Sequence, residues 1–285
     1  MPQTPAPHRP LPIRVLVKGA STVNWMSWMN GPRADFTFPR VIEEQLLADG
    51  RPAEVRAITM TSEQTCKILS TWQAEILGYS PDVIVLVYGH YETIHLFLPR
   101  WLERHANSLK ARPRRISSLY RKHVLRPVWM TLAKLQARLD VVLGPTLRTN
   151  RPRNVAADLE RYVEHVQQVG SPLVFVFELQ PPATRYRSWF PGMTRRIEVM
   201  NAALEDMVRR IGVPHVRYFR TTPLVERYAD GDIDAATPDG FHYSATLHRA
   251  IGEELAREIA VWADTQPHLA AGQFVDRGSD TLDSA

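Results

Sequence analysis

Ile13-Arg14-Val15-Leu16-Val17-Lys18-Gly19-Ala20-Ser21 is the stretch that decides the fold. It is an apolar run of strand length without clean polar alternation, the pattern of a strand buried on both faces. It ends in two small residues and a hydroxyl. Four further strand-like runs follow, Glu54–Ile58, Val83–Tyr88, Leu173–Phe177 and His215–Phe219. Between them, Pro39–Ala48, Glu63–Leu77, Val155–Val169 and Thr194–Ile211 space their apolar residues by three and four, the helical period. Gly50, Gly170 and Gly212 stand where helix C-termini take glycine. A last helix is expected over Ala245–Trp262. Strands alternating with helices predict an α/β protein, a three-layer α/β/α domain on a five-stranded parallel sheet. That domain is expected over 13–265, between a flexible proline-rich leader (1–12) and a disordered tail (266–285).

One segment breaks the rhythm between the third and fourth strands. Arg100 to Arg153 carries fourteen Lys and Arg against only Glu103 and Asp140, in a chain whose formal net charge is +5. The remainder of the chain is therefore net acidic, and a basic helical insertion is expected at about 100–153. Pro127 suits a first helical turn, so one helix is expected to end near Arg126 and a second to cover Val128–Leu143. Val128, Leu132, Leu135, Leu139 and Val142 then form one stripe with cations beside it. Such a segment reads as a lid or a docking face. Its partner is solvent alone, an anionic membrane surface or phosphate-linked substrate, or nucleic acid. Nucleic acid is the weakest of these, because no recognisable module is present and aromatics are sparse among the cations.

Composition sets other bounds. The single cysteine, Cys66, excludes an intramolecular disulfide and points to a reducing compartment. The prolines of the first twelve residues do not make a secretory signal, and the apolar runs fall well short of the roughly 20 residues that span a bilayer. The expectation is a soluble cytoplasmic protein, peripheral to a membrane if the insertion docks there. No phosphate-binding or dinucleotide glycine motif occurs, and no cofactor is expected. His90, Glu92 and His95 lack metalloprotease spacing, so no metal site is expected there either.

Two segments at opposite ends carry the chemistry. Ser21 follows the first strand, and Asp239-Gly240-Phe241-His242 precedes the last helix. A serine hydroxyl needs a base to take its proton, and the base needs the right tautomer. His242 supplies the base and Asp239 its orienting carboxylate. The chain order Ser, Asp, His suits a hydrolytic triad on an α/β sheet.

These residues resemble the SGNH or GDSL-like hydrolase superfamily, whose sheet is wound in the flavodoxin manner. The first block, Gly-Asp-Ser, is matched by Gly19-Ala20-Ser21, and the fifth, Asp-x-x-His, by Asp239-Gly240-Phe241-His242. The third, Gly-x-Asn-Asp, meets Gly89-His90-Tyr91-Glu92, with tyrosine in place of asparagine. The second block's glycine has no counterpart in Thr59-Met60-Thr61-Ser62-Glu63. The resemblance covers about residues 13–263 apart from the insertion. It implies an oxyanion site formed by the Ser21 N–H, a backbone N–H near Thr61 or Ser62, and Tyr91 or His90 beside Gly89. It also implies a serine esterase or acyl-transfer enzyme acting on O-acyl groups of a carbohydrate, lipid-linked or small-molecule ester. The altered second and third blocks leave an alternative open, a non-catalytic module that binds a glycan or anionic partner. Trp25, Trp28, Phe36 and Phe38 are candidates for pocket lining or core, and Arg33 for an anionic substrate.

Overall fold

The computed structural model describes residues 11–24, 37–59, 64–94, 119–143, 151–187 and 190–269. The expected leader lies outside these apart from Leu11 and Pro12, and the expected tail apart from 266–269. The strands are β1 (Ile13–Gly19), β2 (Ala53–Thr59), β3 (Val83–Val87), β4 (Leu173–Phe177) and β5 (Val216–Phe219). The helices are α1 (Phe38–Ala48), α2 (Ile68–Tyr79), α3 (His90–Ile94), α4 (Arg126–Leu143), α5 (Pro152–Gln167), α6 (Met193–Ile211), α7 (Thr222–Tyr228), α8 (Ile233–Ala236) and α9 (Ala245–Ala263).

All five strands run parallel in the order β2-β1-β3-β4-β5. Alternate residues of the central strands feed two separate cores. Val15, Val17, Val85, Val87, Phe175 and Phe177 pack against α1 and α9. Leu16, Ile84, Leu86, Val174 and Val176 face α2, α5 and α6 on the other side. Two covered faces explain why these runs read as continuously apolar. β2 lies at an edge and is half exposed, which is why Glu54 and Arg56 interrupt it. The three-layer α/β/α reading holds.

One charge sits inside the second core. Lys18, on β1, is 1% exposed. Its Nζ pairs with the Glu75 carboxylate, donates to Thr71 Oγ1 at 2.7 Å and lies 5.5 Å from the centre of the Tyr162 ring. A buried cation persists only with such partners.

Several boundaries differ from the sequence reading. The second helix starts at Ile68 rather than Glu63, after a short 3₁₀ turn over Thr65–Lys67. Gly50 and Gly212 adopt the left-handed conformation beyond their helices, but Gly170 does not, because α5 already ends at Gln167. No break occurs at Pro127. A π turn over Arg121–Leu125 runs directly into α4, and Pro127 sits in the first turn of that helix. A proline in a continuous helix lacks one N–H and crowds the carbonyl a turn before it, and the π turn immediately ahead of Pro127 is where the helix accommodates this.

The winding positions the site. From β1 the chain steps outward to β2, then crosses back to β3 on the other side of β1. The connection leaving β1 goes to β2 and the one leaving β3 goes the opposite way to β4, so they diverge at the C-terminal ends of these two adjacent strands, where open α/β sheets form their ligand crevice. Gly19 and Val87 are register partners at this end, so Ser21 and Gly89 each lie two residues beyond the same rung.

Candidate active site

Close packing of the two strand ends requires the glycine of the first block. A Cβ at Gly19 would lie 2.7 Å from the Val87 carbonyl oxygen and 2.9 Å from its Cβ. The next residue, Ala20, donates its N–H to the same Val87 carbonyl at 3.3 Å. Ser21 then opens a 3₁₀ turn, Ser21–Val23, closed by the Asn24 N–H on the Ser21 carbonyl at 3.0 Å. The N–H groups at the start of such a turn have no acceptor inside it. Among the described residues no backbone carbonyl accepts the Ser21 N–H. Asn24 anchors the far end of the turn, donating through Nδ2 to Thr59 Oγ1 at 2.7 Å at the exit of β2. Nothing in the sequence pattern marks Asn24 for this role.

The Asp239–His242 loop is built around one carboxylate. Asp239 Oδ1 accepts from the N–H groups of Phe241 (3.1 Å) and His242 (2.8 Å), and Oδ2 lies 2.6 Å from His242 Nδ1. Burial opposes ionisation of Asp239. The bonds from the His242 ring and the two N–H groups, with the electrostatic pull of His242, outweigh it and hold the carboxyl at about 2. An ionised carboxylate on Nδ1 fixes that nitrogen as the donor, so neutral His242 presents its lone pair at Nε2. His242 is 8% exposed. The loop is fastened through the Gly240 carbonyl, which accepts from the Ala183 N–H at 3.1 Å. It hands over to α9 through Ser244, whose Oγ accepts the Leu247 N–H at 3.1 Å.

The third-block segment packs beside that loop. Gly89 takes φ +105°, and a Cβ there would meet Leu179 at 3.2 Å and Met200 at 3.3 Å. Only glycine suits both the conformation and the space. His90 is buried, with its ring edge-on to Phe241 at 5.7 Å. Burial drives its pKa down to about 4, helped by the neighbouring His242. The Gln180 backbone and the Asp239 charge oppose this only in part. His90 is therefore neutral at physiological pH. Phe241 is also edge-on to Phe190 at 5.0 Å, so the residue before His242 is gripped from two sides. Tyr91 is half-buried on the first turn of α3.

Glu92, the remaining acid of this block, is 1% exposed. Its Oε1 accepts from both the N–H and the Oγ1 of Thr65 at 2.6 Å. Burial pushes its carboxyl up from the usual range. Glu92 thus clamps the turn that follows the exit of β2 to the exit of β3. A second buried imidazole, His248, accepts the Phe38 N–H at Nδ1 (3.3 Å) and ties the start of α1 to α9. Burial pushes its pKa down to about 3.

The structure thus gathers Asp239, His242, His90 and Phe241 into one cluster. It places Ser21 and the Gly89–Glu92 segment at the same end of the sheet. Among the described residues there is no hydrogen bond from the Ser21 hydroxyl to His242. Thr61 and Ser62, expected near the oxyanion, and Trp25, Trp28, Arg33, Phe36 and His95 lie outside the described residues. Phe38 is fully buried and stacks on Phe177 at 5.5 Å, which makes it core rather than pocket lining.

No protein-family model and no curated protein matches the sequence. Solved structures do match. A carbohydrate acetylesterase from Sinorhizobium meliloti superposes with a TM-score of 0.53 at 14% identity, over 87% of this chain and 99% of that one. A lipase/acylhydrolase from Enterococcus faecalis gives 0.54 at 15%, over 87% and 96%. A catalytic Ser-to-Ala mutant of an acetylxylan esterase from Geobacillus stearothermophilus gives 0.55 at 11%, over 86% and 93%. The chain therefore has the α/β/α fold of the SGNH or GDSL-like lipases, acylhydrolases and acetylesterases, as the first and fifth blocks led us to expect.

Proposed function

We propose that this protein is a serine esterase that cleaves small O-acyl groups, and that its substrate is an acylated carbohydrate. The observation that carries the reading is the Asp239–His242 pair. An ionised carboxylate 2.6 Å from Nδ1 serves an imidazole whose opposite nitrogen has to act as a base. The carbohydrate preference draws support from the names of two fold relatives, an acetylesterase and an acetylxylan esterase.

In the proposed reaction Ser21 Oγ attacks the ester carbonyl as His242 Nε2 takes its proton. Negative charge collects on the former carbonyl oxygen, where the Ser21 N–H and the Tyr91 hydroxyl receive it. His242 then returns the proton to the leaving sugar hydroxyl, and an acyl-enzyme remains. Water attacks it by the same route, releasing the carboxylic acid and restoring Ser21. An acceptor hydroxyl in place of that water would make the reaction an acyl transfer. Asp239 stays ionised throughout, since its pKa of about 2 is far below the working range.

Tyr91 is preferred to His90 as the side-chain donor. A neutral imidazole has a single N–H, and the His90 ring is buried edge-on against Phe241, whereas Tyr91 is only half-buried. His90 instead holds Phe241, and with it the loop of the base.

The test is acetate release from acetylated xylo-oligosaccharides, and hydrolysis of p-nitrophenyl esters of increasing chain length. The reading expects Ser21-dependent turnover that falls with acyl length. No turnover of any ester, together with binding of the oligosaccharide, would replace the esterase with a glycan-binding module.

A further inference from the structure

From the outer face of α4 we infer a docking surface for anionic phospholipid bilayers. Val124, Val128, Leu135 and Val142 are from 44% to 79% exposed, although all are aliphatic. Val128, Leu135 and Val142 are spaced by seven, two helical turns, and Val124 falls one turn before Val128, so the four form one row. Lys134 and Arg138 are exposed beside it, with Lys122 and Arg126 exposed further along. The inner face is different. Gln136 is buried and Ala137 lies against Gly192, where an added Cβ would stand 3.3 Å from its own, while Leu132 and Leu139, at the protein-facing edge of the row, are half-buried. The helix thus rests on the protein by one side and presents an apolar row edged with cations on the other.

Charge selects the occupant. Between Arg100 and Arg153 the chain has fourteen cations and two acids, while the rest of it is net acidic. A second copy docking on this row would bring the two sets of cations together, a repulsive arrangement. Nucleic acid would satisfy the cations but leave aliphatic side chains against phosphates and water. A bilayer with anionic headgroups satisfies both, taking the valines and leucine at the acyl boundary and the cations at the phosphates. No helix among the described residues is long and apolar enough to cross a membrane, so α4 lies along the surface, about 27 Å of it. Docking by the outer face leaves the Ala137–Gly192 contact intact. Gly192 is two residues from Phe190, which packs on Phe241 beside His242.

The test is co-sedimentation of the full chain with phosphatidylcholine vesicles, with and without phosphatidylglycerol, over a range of salt. Binding is expected only with phosphatidylglycerol, weakening steeply with salt and not displaced by inorganic phosphate. The double variant Lys134→Ala/Arg138→Ala should bind about 30-fold more weakly, at about one kcal/mol per cation. Leu135→Ser/Val142→Ser should lose at least about tenfold through the apolar row. All four side chains are on the exposed face, and unchanged far-ultraviolet circular dichroism establishes that each variant is folded. Equal binding to neutral vesicles, no binding at low salt, or variants that bind like wild type would overturn the proposal. So would tighter binding to duplex DNA than to vesicles, or a dimer that Leu135→Ser/Val142→Ser dissolves.

Discussion

Replacing Asp239 by asparagine tests the tautomer argument with little disturbance of the loop. The asparagine oxygen can still accept the Phe241 and His242 N–H groups that now bond Oδ1 at 3.1 and 2.8 Å. Its amide NH₂ then takes the place of Oδ2 and donates to His242 Nδ1. The ring proton moves to Nε2, and the base is lost. Two contributions to the rate can be separated. Displacement of the carboxyl from 3.8 to about 2 corresponds to at most about 2.5 kcal/mol, or about 60-fold. Part of that belongs to backbone bonds that asparagine keeps. Inversion of the tautomer supplies the rest of a loss near 10⁴ in kcat. The assay is p-nitrophenyl acetate hydrolysis across pH, with thermal unfolding recorded in parallel. The melting temperature should shift by only a few degrees. Asp239→Ala, which abandons both loop bonds as well, should be less stable by about 1–3 kcal/mol. Activity of Asp239→Asn within tenfold of wild type, with an unchanged pH profile, would mean that Asp239 does not set the tautomer of His242.

The other predictions concern the supporting residues. Tyr91→Phe should lower kcat by about 10²–10³ with little change in KM, the cost of one oxyanion donor, and unchanged kcat would remove Tyr91 from the mechanism. Gly89→Ala forces a side chain into φ +105° against Leu179 and Met200, and should cost about 1–3 kcal/mol by chemical denaturation. The third is pH-dependent stability: His90 and His248 are held neutral, with pKa values of about 4 and about 3 against 6.5 unfolded. The unfolded chain binds their protons first, so their contribution is complete above pH 6.5 and is lost as pH falls toward 4 and 3. His90 alone accounts for about 3 kcal/mol of that loss, and His90→Gln should flatten the acid limb of a stability–pH curve. An unchanged limb would mean that His90 is not buried neutral.

What the sequence made legible follows from the range of each interaction. β1, β3 and β4 are buried on both faces, so their apolar runs are continuous and stand out from single residues. The Asp239–His242 pair is equally local, because three residues of one loop suffice to bring a carboxylate onto an imidazole. Short elements were not legible. α3, α7 and α8 have five, seven and four residues, too few to display a helical period. Nor were the ties that join separate strand exits. Asn24 with Thr59 and Thr65 with Glu92 link residues 35 and 27 positions apart, and no periodicity announces such a pair. Pro127 suggested a break because the missing N–H and the ring clash of a proline disrupt a regular α-helix, but a π turn just before it absorbs both.

The proposed function stands on Ser21 being an activated nucleophile served by His242. Intact-mass analysis after treatment with a fluorophosphonate, on wild type, Ser21→Ala and His242→Ala, addresses it most directly. One phosphonyl adduct is expected on wild type and none on either variant. An unlabelled wild type, or a Ser21→Ala protein that still takes the label, would contradict it.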